Sequence, residues 1–286
     1  MSDVPYLFKY MPYRKEFFEN FYLRCTPRSA LNDPFELRPS NDYLFDKKIE
    51  LFGKGYFEGA FTEDSTENDK WMRTTLEGLF KKTGIVSFTE TKDNLLMWSH
   101  YADNHRGIVV AFDTSHDFLK KDGSKSRELG RVHYRKDRMK ALPQRLKDGF
   151  YMSDSTRIYF EKSDEWIYEK EHRLISDLYA VDATLCSSDY YDERLRHKCP
   201  GYEPEAVTDK LVSITGIENK CHDASESEVL CMLQVPPECI LSVTCGANMP
   251  EEQKQEVREY TQRLGISYLE AVPDADEYKL NFRQVE

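Results

Sequence analysis

Three observations predict an α+β fold. Apolar runs rich in β-branched and aromatic residues recur at 85–88, 108–112 and 240–244, the pattern of strands packed into a core. Stretches with helical spacing and clear stop signals lie between them, at 71–80 before Gly84 and from Pro250 to Gly265. The chain has 286 residues, with 18 Tyr and 16 Phe to supply buried area, enough for one large domain or two small ones.

The elements follow in order. Residues 6–10 (YLFKY) read as a short aromatic strand, with a helix behind it over 14–21. A second strand at 23–26 is closed by Pro27, and Asn32-Asp33-Pro34 forms a turn, because Asx side chains and proline both favour turns. After the strand at 85–88, Asp93 or Asn94 can cap a short helix carrying Leu95, Leu96, Trp98 and Tyr101. Gly107 ends it, and the run at 108–112 is a central buried strand. Residues 131–134 and 166–174 add strands, the second open to a helical reading. Residues 182–227 are polar and poorly patterned and read as an insertion. In the helix opened by Pro250, Val257, Tyr260 and Leu264 share one face, and 266–272 is the closing strand. The whole chain, 1–286, reads as a single α+β domain carrying that insertion at about 182–227.

Composition narrows the function. No run approaches the roughly 18 apolar residues that span a bilayer. The N-terminus lacks a basic stretch followed by an apolar segment, so no secretory signal is expected. Seven cysteines, an odd number spread from Cys25 to Cys245, suggest reduced thiols and a cytoplasmic protein. A net charge of −11 opposes a bulk nucleic-acid coat. Residues 120–147 nevertheless hold eleven Lys or Arg against three acidic residues, a local +8. That stretch reads either as a surface for a nucleotide, a nucleic acid or a protein acceptor, or as a solvated helix and loop.

Four segments form a distinctive series: YLFKYMP near the start, SALNDPFE at 29–36, NLLMWSHYADNHRGIVVAFD at 94–113 and WIYEKEHRLI at 166–175. In this order they resemble an uncharacterised bacterial domain family typified by NDPFE, MWSHYAD and YEKEWR, over roughly residues 5–282. His172 stands where that last segment usually has Trp.

The order of elements is also similar to that of ADP-ribosyltransferases. Those enzymes open with a strand holding His or Arg, continue to a strand leading into a short helix with Ser or Tyr, and carry a Glu-x-Glu on the last strand. The resemblance implies an ADP-ribosyltransferase-like split or curved, mostly antiparallel sheet flanked by helices, and NAD as substrate. It puts Lys9 at the His/Arg position and Ser87, with His100 and Tyr101 after it, at the middle element. Glu169 and Glu171 become the catalytic pair. It also implies the bacterial setting of such enzymes, toxins or phage defence. The chemistry is coherent, because cleaving the nicotinamide–ribose bond develops positive charge on the ribose carbon that Glu171 can stabilise. Ser87 could steady the ribose or a carboxylate, and Lys9 could donate to the adenosine ribose or the phosphates. Lysine, a mobile point charge, departs from the planar donors of Arg or His.

Other readings stay open. Glu169 and Glu171 could pair with Arg173 on an exposed strand, and Trp98, Tyr101 and His105 could form a packed helix face. The protein could be a non-catalytic sensor binding a nucleotide or nucleic-acid end. It could be a nuclease using Asp33, Glu36, Glu169 and Glu171 around a divalent metal. His197, Cys199, Cys221 and His222 have zinc-ligating atoms, but their spacing is not that of a zinc knuckle and no metal ligand is assigned.

Overall fold

The structure, a computed structural model, describes residues 4–38, 80–120, 127–138, 158–217 and 225–285, with isolated positions 40, 43, 74 and 78. The chain opens with β1 (Tyr6–Met11), helix α1 (Lys15–Asn20), β2 (Tyr22–Pro27), β3 (Thr83–Thr89), helix α2 (Leu95–Tyr101) and β4 (Ile108–Asp113). Short strands β5 (Glu128–Arg131), β6 (His133–Arg135) and β7 (Glu161–Ser163) precede a 3-10 turn over Asp164–Glu169 and the longer β8 (Glu171–Asp177). Then come β9 (Ala183–Ser187), β10 (Glu205–Ala206), β11 (Leu211–Ser213) and β12 (Leu230–Gln234). The C-terminal part is β13 (Ile240–Cys245), helix α3 (Glu251–Leu264), β14 (Ser267–Pro273) and β15 (Leu280–Gln284).

Among the described residues, thirteen strands form one open sheet, in which every pairing is antiparallel except β13 with β14. That parallel pair needs a crossover, and α3 supplies it, burying Val257 and Thr261 and stopping at Gly265 in the left-handed region. As expected from its unbroken apolar run, β4 is central, buried from Ile108 to Phe112 between β1 and β13.

The sheet forks at β3. One edge of β3 pairs with β8 over its whole length, Thr83 opposite Asp177 through Thr89 opposite Glu171. The other edge is divided: β2 takes Gly84 and Ile85, whereas β1 takes Thr89. From β1 one arm continues through β4, β13, β14 and β15; from β2 the other continues through β12, β9, β11 and β10. Between the two arms, where neither β1 nor β2 pairs with Ser87, the Lys9 ammonium donates to the Ser87 carbonyl at 2.9 Å. A backbone acceptor stranded by the fork is thereby satisfied.

Local chemistry explains how α2 is held beside the fork. The Asn94 side chain caps the helix by accepting from the Leu96 and Met97 amides. Trp98 is 0% exposed and meets Tyr10 edge-on with ring centroids 5.3 Å apart. After Tyr101 the chain runs through Asp103, Asn104 and His105, all at positive φ, so His105 is not on the helix. Its ring nonetheless stacks on Trp98 at 6.2 Å. This tight turn is possible because Gly246 passes so close that a Cβ there would meet the His105 carbonyl oxygen at 2.1 Å.

Several expectations change. The strand expected at 131–134 is divided between β5 and β6. The segment 166–174 is a 3-10 turn that gives way to β8, and the closing strand is β15, paired to β14. Where described, residues 182–227 carry three strands, and β9 is inserted between β12 and β11. Its two-residue periodicity is hard to see in sequence because four of its five residues are buried. The helix expected over 71–80 falls largely outside the described residues. No helix among the described residues is long and apolar enough to cross a membrane.

Candidate functional site

A cavity of about 100 Å³ opens at the fork. Lys9 enters it from β1, Ser87 from β3, and Met97 and Tyr101 from α2. Asn32 and Glu36 reach it from the loop after β2, while Lys162 closes it from β7, Glu169 from the 3-10 turn and Glu171 from β8. The loop turns Glu36 inward through an Asx turn, in which Asp33 Oδ1 accepts from the Phe35 amide at 2.8 Å and the Asp33 carbonyl from the Glu36 amide. Asn32 donates to the Tyr101 hydroxyl at 3.2 Å, tying the loop to α2.

The back wall is a buried charge network. Lys162 Nζ lies 3.1 Å from Glu36, 2.7 Å from Glu169 and 3.2 Å from Glu171. Arg173 reaches Glu36 at 2.6 Å and Glu171 at 2.9 Å, and donates to the Tyr159 carbonyl at 2.7 Å. Glu171 and Arg173 can share one carboxylate–guanidinium pair because alternate strand residues point to the same face. Glu169 arrives differently. It ends the 3-10 turn, and Lys170 sits in the left-handed region at φ 43, turning the chain so that Glu169 faces Glu171. The Tyr101 hydroxyl donates to Glu169 at 2.6 Å, and the Glu171 amide donates to the Tyr134 hydroxyl at 2.7 Å.

This network separates the two carboxyl groups. Burial alone would push Glu171 up, but Arg173 and Lys162, with hydrogen bonds from Arg173 and Ser87, hold it down at about 2. Burial pushes Glu169 up, against the pull of Lys162 and the hydrogen bond from Tyr101. Burial also lowers the Lys9 ammonium to about 8, opposed by the nearby Glu171 charge. Lys162 is pushed up, because Glu171, Glu36 and Glu169 together outweigh its burial. Fully ionised, the three carboxylates and the Lys162 and Arg173 cations leave a net −1. An ionised carboxylate beside a carboxyl poised closer to neutrality is the pairing used in general acid–base and glycosyl-transfer chemistry.

Of the residues singled out in the sequence, Lys9, Glu36, Ser87, Tyr101, Glu169 and Glu171 come together in the cavity. His100 does not: it is exposed on α2 and meets only the edge of Tyr101 among rings, at 6.2 Å. Glu169 is in a turn and not on a strand, because the left-handed Lys170 breaks the extended backbone before β8. Glu171 does pair with Arg173, yet both are buried and not on an exposed strand. Lys162 carried no sequence signal, lying in a polar stretch without periodicity. Arg173 did carry one, a charge alternating with Glu171 just before the apolar pair Leu174 and Ile175 of β8. The convergence of Glu36, Glu169 and Glu171 suits a divalent metal on paper, but the Lys162 ammonium occupies their meeting point.

Other candidates lie elsewhere. Cys199 is disulfide-bonded and therefore not a free thiolate for zinc, and His197 is exposed. Cys221 and His222 fall outside the described residues, as does most of 120–147. Within that stretch Arg127 pairs with Asp182 and packs over Phe118, Arg131 pairs with Glu90, and Arg135 pairs with Glu161.

Residues 97–174 match a family model described as a protein of unknown function (DUF2971). The matched stretch holds Tyr101, Lys162, Glu169, Glu171 and Arg173, most of the charged wall of the cavity. No curated protein and no solved structure matches the chain.

Proposed function

We propose that this chain transfers ADP-ribose from NAD, with the fork cavity as its active site. The observation that carries the reading is the pair Glu169 and Glu171, two carboxyl groups in one cavity with their proton affinities driven apart. Loss of nicotinamide leaves positive charge on the ribose carbon, and Glu171, held ionised and fixed by Arg173, is placed to stabilise it. Preorganisation matters here, since a carboxylate already locked by two cations does not reorganise as the charge develops.

Glu169 has the complementary task. Its raised proton affinity brings it nearer the range of a general base, and it takes the proton from the acceptor nucleophile while Tyr101 orients it. Ser87, hydrogen-bonded to Glu171, steadies that carboxylate, and Lys9 supplies a positive donor for the phosphates or the adenosine ribose. A cavity of about 100 Å³ accommodates one ring of the substrate, so the rest of the dinucleotide lies against the loop at 31–38.

The test is incubation of the protein with NAD labelled in the adenosine half, with cell extract, protein, RNA and DNA supplied in turn. The expected result is free nicotinamide together with label on one acceptor class, abolished by Glu171→Gln and reduced less by Glu169→Gln. No nicotinamide release by the wild type with any acceptor would refute the reading.

A further inference from the structure

A second, larger cavity of about 250 Å³ lies on the other side of Glu36 and Lys162, which line both spaces. Its rim is cationic and aromatic. Arg38, Arg135, Lys136 and Arg138 surround it, and Arg38 and Lys136 make no ion pair with a described residue. Arg135 is balanced by Glu161 at 3.3 Å, and Glu36 by Lys162 and Arg173. Phe35 stands at the mouth 59% exposed, unusual for a phenylalanine, with the Arg138 guanidinium 5.8 Å from its ring centroid. Deep in the wall lies an unanswered acceptor. Asp33 is 5% exposed, its Oδ1 holds the Asx turn, and its Oδ2 is buried with no hydrogen-bond partner among the described residues. A carboxylate oxygen buried without a donor is costly, and points to a donor that a ligand brings.

These features fit one ligand chemistry. Arginine and lysine at a rim recognise phosphate oxygens, an exposed ring beside a guanidinium plane stacks a base, and a buried carboxylate oxygen accepts from an N–H or O–H. We infer that the second cavity binds a phosphate-bearing nucleoside: phosphate on Arg38, Lys136 and Arg138, base on Phe35, and a base N–H or sugar hydroxyl on Asp33 Oδ2. The inference deepens the ADP-ribosyl reading, since a nucleoside seated there has only Glu36 and Lys162 between it and the catalytic carboxylates. Two sources share this chemistry, the adenosine half of NAD and the terminal nucleotide of a nucleic-acid acceptor.

The test is a binding measurement that involves no turnover. AMP, adenosine, inorganic phosphate and a short single-stranded oligonucleotide with a 5′ phosphate are titrated onto the full chain by calorimetry. Three variants outside the first cavity accompany the wild type: Lys136→Glu, Phe35→Ala and Asp33→Asn. The last keeps the turn acceptor and exchanges the orphan oxygen for an N–H. AMP is expected to bind, and each variant to weaken it at least tenfold while the thermal midpoint is unchanged. Inorganic phosphate should be weakened only by Lys136→Glu, and adenosine only by the other two. If oligonucleotide affinity falls in step with AMP and the calorimetric affinity for NAD does not, the source is the acceptor; the reverse pattern assigns the NAD adenosine. AMP affinity unchanged in all three variants, or no AMP binding by the wild type, overturns the inference. Nicotinamide release in either case would leave the reading of the first cavity standing.

Discussion

Glu171→Gln separates the electrostatic account of the cavity from a purely steric one. The amide keeps the shape of the side chain and removes its charge from between Arg173 and Lys162. In the folded protein the Glu171 carboxyl is held at about 2, against an ordinary value of 4.5. Each pKa unit corresponds to about 1.4 kcal/mol, so the network contributes about 3 kcal/mol of stability at pH 7. The same size follows from mutational experience, where removing one partner of a buried ion pair costs roughly 3–5 kcal/mol. The sign is fixed by the lowered value: the contribution is complete above 4.5 and is lost as pH falls through 2. At pH 3 only about 1.5 kcal/mol should remain. Urea unfolding of wild type and variant at pH 7 and pH 3, with m-values compared, gives the two differences directly. A gap at pH 7 below about 1 kcal/mol, or one that does not narrow at pH 3, would refute the reasoning. Turnover should vanish in the variant under conditions where it is still folded, because the lost charge is needed chiefly in the transition state.

Trp98→Ala should lower stability by about 3–5 kcal/mol in urea unfolding, since the ring is fully buried against Tyr10 and His105. Trp166→Ala should cost much less, because that ring is half-buried and covers the Lys162 ammonium, 4.9 Å from its centroid. Lys9 loses its proton at about 8, so its positive charge is present below that pH and gone above it. The KM for NAD should therefore rise as pH passes upward through about 8, and a Lys9→Met protein should have a high KM without that inflection.

The legible parts of the fold were those whose burial is simple. The run at β4 and the capped helices α2 and α3 follow from apolar patterning and Asn94, Pro250 and Gly265, which need no distant partner. β15 was missed because four of its five residues are not buried, and β9 because its apolar residues do not alternate. At the site, Lys9, Ser87, Tyr101, Glu169 and Glu171 could be named because a motif order pointed to them. Their meeting depends on the register of β3 against β8 and of β1 against β4, and short-range pattern does not encode it. Glu36 and Lys162 show the limit most clearly. They are separated by more than a hundred residues, one in a loop and one on a three-residue strand, and their pairing becomes legible only once they are placed 3.1 Å apart.

The fork has a consequence for how such a site can vary. Lys9 belongs to one arm, Glu36 follows the first strand of the other, and Glu171 sits on the strand that pairs with the trunk strand β3. Among the described residues the two arms share no ladder with each other and are joined in the sheet through β3, while Leu7, Val110 and Val243 of one arm pack in the same core as Leu23, Cys231 and Leu233 of the other. A change at Lys9 on β1 and a change in the loop after β2 therefore act on different walls of the cavity. The paired carboxyl groups stay anchored on the trunk, so new ligands can be accommodated around an unchanged pair of glutamates.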